Sequence, residues 1–233
     1  SVMAGDPPPT ARSASRPNGD PPRLGRLVGE QLGPVEPAVT AAVDGLCDRL
    51  EERGAQIDEV ELPLGAARAA VAAIVLPEAA AAHARLLAET GEDGYGARML
   101  AALRLGQSAL AGEYLAGLRY RGRFAALVES LLVERDALLL PTLPCVAPET
   151  GRAAVTVAGA TTGTQAALTA LPGPFNCSGS PVVSLPIALV PARAGLPVAA
   201  SLVGRIGGDR ELLEVAARVE GVAPAIGEPP VTA

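Results

Sequence analysis

The sequence has no lysine, no tryptophan and only one histidine among its 233 residues. All 19 basic residues are therefore arginine, which stays protonated at neutral pH and cannot act as a general base. Two phenylalanines and three tyrosines leave few rings on which nucleobases could stack. Since the net charge is −6 and no basic tract is present, we expect no nucleic-acid partner.

Metal ligands and membrane segments are equally scarce. Cys47, Cys145 and Cys177 are widely spaced and show no ligand pattern with His83, so we expect no metal, no cofactor and three buried thiols. The start of the chain has no signal-peptide pattern. The longest apolar runs, such as residues 66–76, fall short of the roughly 20 residues that span a bilayer. These features predict a cytoplasmic protein with no membrane segment.

About half of the residues are apolar and mostly aliphatic, which suffices for a sizeable core. Pro-rich residues 1–22 predict an extended linker arm, and residues 221–233 predict a Pro-rich tail. Residues 23–220 between them predict one α/β domain, with a mixed sheet flanked by helices. A helical insertion is expected at about residues 65–136, in two or three helices separated near Pro77 and around residues 91–96.

The first part of this domain has a strand–helix–strand pattern. Residues 23–29 and 55–62 predict strands, and the intervening helix has an apolar stripe that includes Val39, Val43 and Leu46. A crossover between two parallel strands is the natural arrangement.

The second part predicts a buried strand at residues 137–140 and then a loop to about Ser180. Two further strands at 182–187 and 198–203 are joined by a hairpin-like link. A closing helix spans 209–220, with Asp209 as N-cap.

No catalytic site can be assembled from the residues themselves. Ser178 and Ser180 resemble a nucleophile loop, but a serine needs an adjacent base, and His83 is the only neutral candidate. Cys145 and Cys177 meet the same objection. The segment 204–208 follows a strand but lacks the Lys-Ser/Thr of a phosphate loop, so it is interpreted as a plain strand-to-helix turn.

Three blocks of the sequence resemble the C-terminal part of the amidase-signature family. Residues 136–144 (DALLLPTLP) are similar to its D-x-L-x-x-P-T-x-P segment, and residues 174–186 (PFNCSGSPVVSLP) to its P-F-N-x-x-G-x-P-A-x-S-x-P segment. The closing strand and helix, from Leu196 to Glu220, also match. Residues 2–7 resemble the segment that follows the catalytic core.

The resemblance implies the C-terminal part of the family's α/β/α fold and an amide-hydrolysing activity. It places the nucleophilic serine, a second serine on a cis peptide and a lysine base upstream of this chain, so no catalytic residue is assigned here. It implies substrate-binding roles for Thr142, Phe175 and Asn176. For Thr142 and Asn176 the alternative is hydrogen bonding that orders their loops. The family usually has a Gln near Ser201 in the closing strand.

Three functions remain open on the sequence alone. The chain is the C-terminal portion of an amidase, inactive without an N-terminal catalytic portion, with that portion or a homo-oligomer as partner and a small amide as substrate. Alternatively, it is a non-catalytic truncated relative that acts as a binding or interaction protein. The third is a small enzyme that uses His83 with a serine or cysteine.

Overall fold

The computed structural model describes residues 20–193 and 195–227. Most of the predicted arm (residues 1–19) and the end of the predicted tail (residues 228–233) lie outside the described residues, so those two assignments stay predictions. The resemblance at residues 2–7 also falls there. The strands and helices are β1 Arg23–Leu27, α1 Pro37–Glu52, β2 Gln56–Val60, α2 Leu64–Thr90, α3 Ala97–Gln107, α4 Ala111–Leu131, β3 Ala137–Pro141, β4 Ala154–Val157, β5 Ala160–Gly163, α5 Thr164–Thr169, α6 Gly173–Ser178, β6 Val182–Val190, β7 Leu196–Val203 and α7 Asp209–Glu220.

The centre of the molecule is a five-stranded sheet in the order β2-β1-β3-β7-β6. β1 runs parallel to β2 and β3, whereas β7 is antiparallel to β3 and β6. The predicted crossover is confirmed, because α1 connects the parallel strands β1 and β2. With helices on both faces, this mixed sheet confirms the predicted α/β class.

Each face of the sheet has its own apolar core. On one face, α1 and α7 pack against side chains such as Leu139 and Leu202. On the other face, α2 and α4 bury Leu138, Leu140 and Val203. The alternation of Leu138, Leu139 and Leu140 between the two cores explains why β3 is apolar at every position, since a strand covered on both faces needs no polar side.

The helical segment differs from its prediction at Pro77. The predicted break is wrong, because α2 continues through Pro77 from Leu64 to Thr90. Proline removes one hydrogen bond within a helix, but packing of α2 against α3, α4 and α6 keeps the helix continuous. The predicted break at residues 91–96 is confirmed, and the last helix begins at Ala111 instead of about Ser108.

Because it is uninterrupted, α2 is long and apolar enough to pass a test for membrane-spanning helices, the only described helix that does. A helix in the core of a globular domain passes the same test. In this chain Arg68 of α2 donates a hydrogen bond to the Ala170 carbonyl oxygen, 3.1 Å away. Glu78 of α2 accepts one from the Tyr114 hydroxyl at 2.9 Å. Arg68 and Glu78 thus bind other parts of the domain, whereas Arg85 pairs with Glu89 within α2 itself.

Two further predictions are corrected. The segment expected to be a loop up to Ser180 contains the β4–β5 hairpin and the short helices α5 and α6. Its two-residue turn has positive φ at Ala158 and Gly159 (46° and 85°), the combination that a tight hairpin requires. Asp209 is the first residue of α7, and Gly208 is its N-cap, so the predicted capping role of Asp209 is wrong.

Candidate functional site

A row of three hydroxyl groups crosses the sheet from β3 to β6. Ser201 of β7 lies opposite Leu140 of β3 and Ser184 of β6 in the strand register. Its Oγ is 2.8 Å from Thr142 Oγ1 and 3.0 Å from Ser184 Oγ. Thr142 is held in place by its backbone N–H, which donates to the Ala199 carbonyl oxygen at 2.9 Å. Thr142, Ser201 and Ser184 form what we call the hydroxyl row.

The hydroxyl row can offer further hydrogen bonds. Three hydroxyl groups hold three protons, and two of these are used between neighbours, which leaves one donor and several acceptor lone pairs. Ser201 is only 3% exposed, whereas Ser184 is open to solvent. The free capacity is therefore available at the two ends of the row, at the half-buried Thr142 and at Ser184. Groups of this kind suit a neutral polar ligand such as an amide.

The three residues predicted to bind substrate occupy different environments. Thr142 is half-buried at one end of the hydroxyl row. Phe175 is 1% exposed and packs in the core, with its ring centroid 6.2 Å from that of Phe124. Asn176, the next residue of α6, is exposed. Phe175 shares its cluster with Leu140, the neighbour of Ser201, so α6 lies over the sheet beside the row. Their role in substrate binding remains a prediction.

The serine pair after α6 orders a turn. Ser178 Oγ donates to the Phe175 carbonyl oxygen at 2.9 Å and lies 3.0 Å from Ser180 Oγ. It also accepts the Ser180 backbone N–H at 3.2 Å. Both serines are buried, and Gly179 between them has a φ of 78° that closes the helix. His83 is engaged elsewhere, since its Nδ1 is 3.0 Å from the Tyr95 hydroxyl. The contacts of Ser178 therefore include no base.

The three cysteines are all buried and form no disulfide with one another. Burial raises the pKa of the Cys47 thiol to about 11, and it also raises the pKa of Cys177. Both groups are protonated at neutral pH, so neither is present as the nucleophilic thiolate. Among the described residues, no cluster of three or more His, Cys, Asp or Glu side chains could hold a metal ion.

A cleft of about 590 Å³ opens beside the β4–β5 hairpin, and none of the three residues of the hydroxyl row lines it. Its polar lining is largely occupied by internal contacts. Glu36 accepts the Val146 backbone N–H at 3.2 Å, and Glu149 pairs with Arg152 at 2.8 Å. We therefore regard the hydroxyl row as the better candidate site.

Comparison with known proteins identifies the family. The family model for amidases matches residues 1–213. The chain belongs to the amidase-signature family. An amidase of Pseudomonas putida is 34% identical over 65% of this chain and 33% of its own length. A glutamyl-tRNA(Gln) amidotransferase subunit of Symbiobacterium thermophilum is 30% identical over 91% of this chain and 47% of its own length.

The solved structures agree with this assignment. A crystal structure of an amidase superposes with a TM-score of 0.81 at 28% identity, over 88% of this chain and 47% of that one. The chain thus spans half or less of the length of the relatives that it matches.

The two amidase-signature motifs meet at the hydroxyl row. Residues 136–144 form β3 and the turn with Thr142, and residues 174–186 form α6 and the start of β6 with Ser184. Ser201, which joins them, stands out in the sequence only because the family resemblance places a Gln near it. The one sequence feature that points to the hydroxyl row is a serine inside each of the neighbouring strands β6 and β7.

Proposed function

We propose that this chain is the C-terminal portion of an amide-bond hydrolase. In this proposal it supplies strands of the central sheet and one wall of the substrate pocket, and it hydrolyses nothing until an N-terminal catalytic portion completes it. The observation that supports the proposal is the convergence of both family motifs on the hydroxyl row, which contains hydrogen-bonding groups but no base.

The chemistry of amide hydrolysis supports a catalytic portion outside this chain. A serine hydroxyl attacks an amide carbonyl only if a neighbouring base takes its proton. The sequence has no lysine, and His83 contacts Tyr95. The hydroxyls of Ser178 and Ser201 contact other hydroxyls or a carbonyl oxygen. The nucleophile and its base would therefore come from the N-terminal portion.

The pocket wall proposed here binds a small amide. The Thr142 hydroxyl and the Asn176 side chain would donate or accept hydrogen bonds, while Phe175 holds α6 against the sheet. The Symbiobacterium relative is named as one component of an amidotransferase, which supports a partner in a multi-chain assembly. We further propose that the completed protein acts in the cytoplasm, without nucleic-acid or membrane contact.

The experiment compares the chain alone with the chain completed by an N-terminal amidase portion. Both are assayed with an aryl amide and a primary amide, and both are treated with a fluorophosphonate that labels reactive serines. We expect no turnover and no labelling of the chain alone, and turnover only when the lysine-containing portion is present. Labelling or turnover by residues 1–233 alone would overturn the proposal.

A matched pair of variants tests the pocket wall in the completed protein. Thr142→Val removes the hydroxyl of the row, whereas Thr156→Val removes a similar hydroxyl from the exposed β4–β5 hairpin, where it is 3.1 Å from Thr161. We expect a higher KM or lower kcat/KM only for Thr142→Val. Equal kinetics of the two variants would show that the row does not contact substrate.

A further inference from the structure

A recess of about 280 Å³ opens at the end of the sheet where β1 and β2 begin. It is lined by residues from these two strands and from the turn before β3, namely Arg23, Gln56, Ile57, Asp58, Glu134 and Arg135. Since β3 is parallel to β1, its first residue is also at this end, whereas Thr142 follows its last residue. The recess and the hydroxyl row therefore lie at opposite ends of the strands.

Two of the charged groups in the recess are engaged with each other. Arg135 Nε is 2.9 Å from Asp58 Oδ1, and Arg135 Nη1 donates to the Leu131 carbonyl oxygen at 2.7 Å. A Cβ at Gly25 of β1 would lie 2.7 Å from Arg135 Cδ, so the glycine makes room for this side chain. The hydrogen bond from Arg135 keeps the pKa of the Asp58 carboxyl below its ordinary value. This ion pair is complete without a ligand.

The guanidinium of Arg23 forms no salt bridge within the described part of the chain. The backbone at this residue is fixed, since its N–H donates to Asp136 Oδ2 at 2.8 Å and its carbonyl oxygen accepts the Asp136 N–H at 2.8 Å. The side chain is half-buried, and its Nε is buried without a hydrogen-bond partner among the described residues. Because buried donors in folded proteins nearly always have an acceptor, this guanidinium is suited to one that a ligand supplies.

Glu134 contributes a carboxylate at the rim of the recess. It is exposed, and it forms no salt bridge among residues 20–193 and 195–227. Because Arg135 and Asp58 neutralise each other, the charges left for a ligand are the guanidinium of Arg23 and this carboxylate. Their sum is zero, so a ligand that carries both signs complements the recess better than a simple anion.

We propose that this recess binds a small zwitterion of the amino-acid class, whose carboxylate contacts Arg23 and whose ammonium group contacts Glu134. Arginine offers a carboxylate two parallel hydrogen bonds, and an ammonium group donates to carboxylate oxygens. The volume is just below the range of about 300–1,000 Å³ that is typical of ligand pockets, which limits the ligand to a few heavy atoms. Every residue of the site belongs to this chain, so the inference does not depend on the proposed function.

Isothermal titration calorimetry with the whole chain tests this assignment. The probes are two zwitterions, glycine and 4-aminobutyrate, and two analogues with a single charge, butyrate and butylamine. We expect at least one zwitterion to bind saturably, and about tenfold or more tightly than either analogue, because only a zwitterion contacts both charges.

Two substitutions separate the two contacts. Arg23→Gln removes the guanidinium and should weaken binding of the zwitterion about tenfold or more. Glu134→Gln should weaken zwitterion binding by a similar factor and leave the weak binding of butyrate unchanged, since butyrate has no ammonium group. Arg49→Gln is the matched control, because Arg49 of α1 also has a buried Nε for which the described chain supplies no acceptor, but it does not line the recess. We expect it to leave the affinity unchanged.

The inference is wrong if neither zwitterion binds, or if butyrate binds as tightly as the zwitterions. It is also wrong if Arg49→Gln weakens binding as much as Arg23→Gln, since the effect would then be structural. Should urea unfolding show that Arg23→Gln is too unstable for titration, Glu134→Gln decides alone, because its exposed side chain can change without loss of packing. An unchanged zwitterion affinity in that variant contradicts the assignment.

Discussion

At the scale of single residues, Gly106 is fixed by the close approach of two helices. A Cβ at this position of α3 would lie 2.1 Å from the Leu76 carbonyl oxygen of α2, far inside contact distance with a backbone atom. We expect Gly106→Ala to lower the free energy of unfolding by about 1–3 kcal/mol, because α3 must move away from α2. Urea denaturation measures this change.

Gly122 provides the control for Gly106. It lies inside α4, and an added Cβ would have no neighbour within 4 Å. Since alanine favours a helix over glycine by about 1 kcal/mol, Gly122→Ala should stabilise the protein slightly. Equal effects of the two substitutions would contradict the packing of α2 against α3.

Cys47 makes the stability depend on alkaline pH. Its buried thiol has a pKa of about 11 in the folded protein, above the value of 9.0 for an exposed thiol. Above pH 9 the unfolded chain loses this proton first, so its contribution to stability is complete well below that pH and is lost as the pH approaches 11. We expect a loss of about 1 kcal/mol between pH 7 and pH 10.

The measurement is urea unfolding of the wild type and of Cys47→Ala at both pH values. Cys47→Ala should be less stable at pH 7 but should lose less stability on going to pH 10. Parallel pH dependences would mean that the thiol is accessible to water.

At the scale of elements, an aromatic pair joins α4 to α6. Phe124 of α4 is 1% exposed and contacts Phe175, the family-motif residue of α6. We expect Phe124→Ala to cost about 3–5 kcal/mol, because it leaves a cavity between the two helices. Leu127→Ala, at a position of α4 that is 37% exposed, should cost less than about 1 kcal/mol. Thermal or urea unfolding distinguishes the two, and similar losses would contradict the pairing of α4 with α6.

An element could be predicted from the sequence where the residues that determine it lie within the element itself. The β1–α1–β2 unit could be predicted because the apolar spacing that determines it is contained in the segment itself. The course of α2 could not, since its continuity through Pro77 depends on packing against α3 and α4. The β4–β5 hairpin could not be predicted either, because Ala158-Gly159 is a weaker turn signal than Asn-Gly.

The candidate site was predictable only in part, for a similar reason. Thr142 follows from a motif that is contiguous in the sequence. Its partnership with Ser201 and Ser184 depends on the register of three strands, and in β6 that register includes an irregularity after Pro186. A shift of one residue would have turned Ser184 to the other face of the sheet. Only the fold supplies that information.

At the scale of the whole molecule, helices cover the two faces of the sheet to different extents. The face under α1 and α7 is largely covered by helices of this chain, whereas the other face is covered over β1, β3 and β7 but not over β6. This asymmetry agrees with a chain that spans about half of its relatives. The part of the sheet that no helix covers therefore lies beside the motif residues and not at a distant surface.

The absence of charge from β6 and β7 has a consequence for how the molecule responds to its solvent. Contacts without ions are not screened, so sodium chloride should hardly change the stability of the packing of these two strands. Sulfate, which is excluded from apolar surfaces, should strengthen the contact, and cooling should weaken it. The packing of β6 and β7 should therefore be insensitive to sodium chloride and weaker at low temperature.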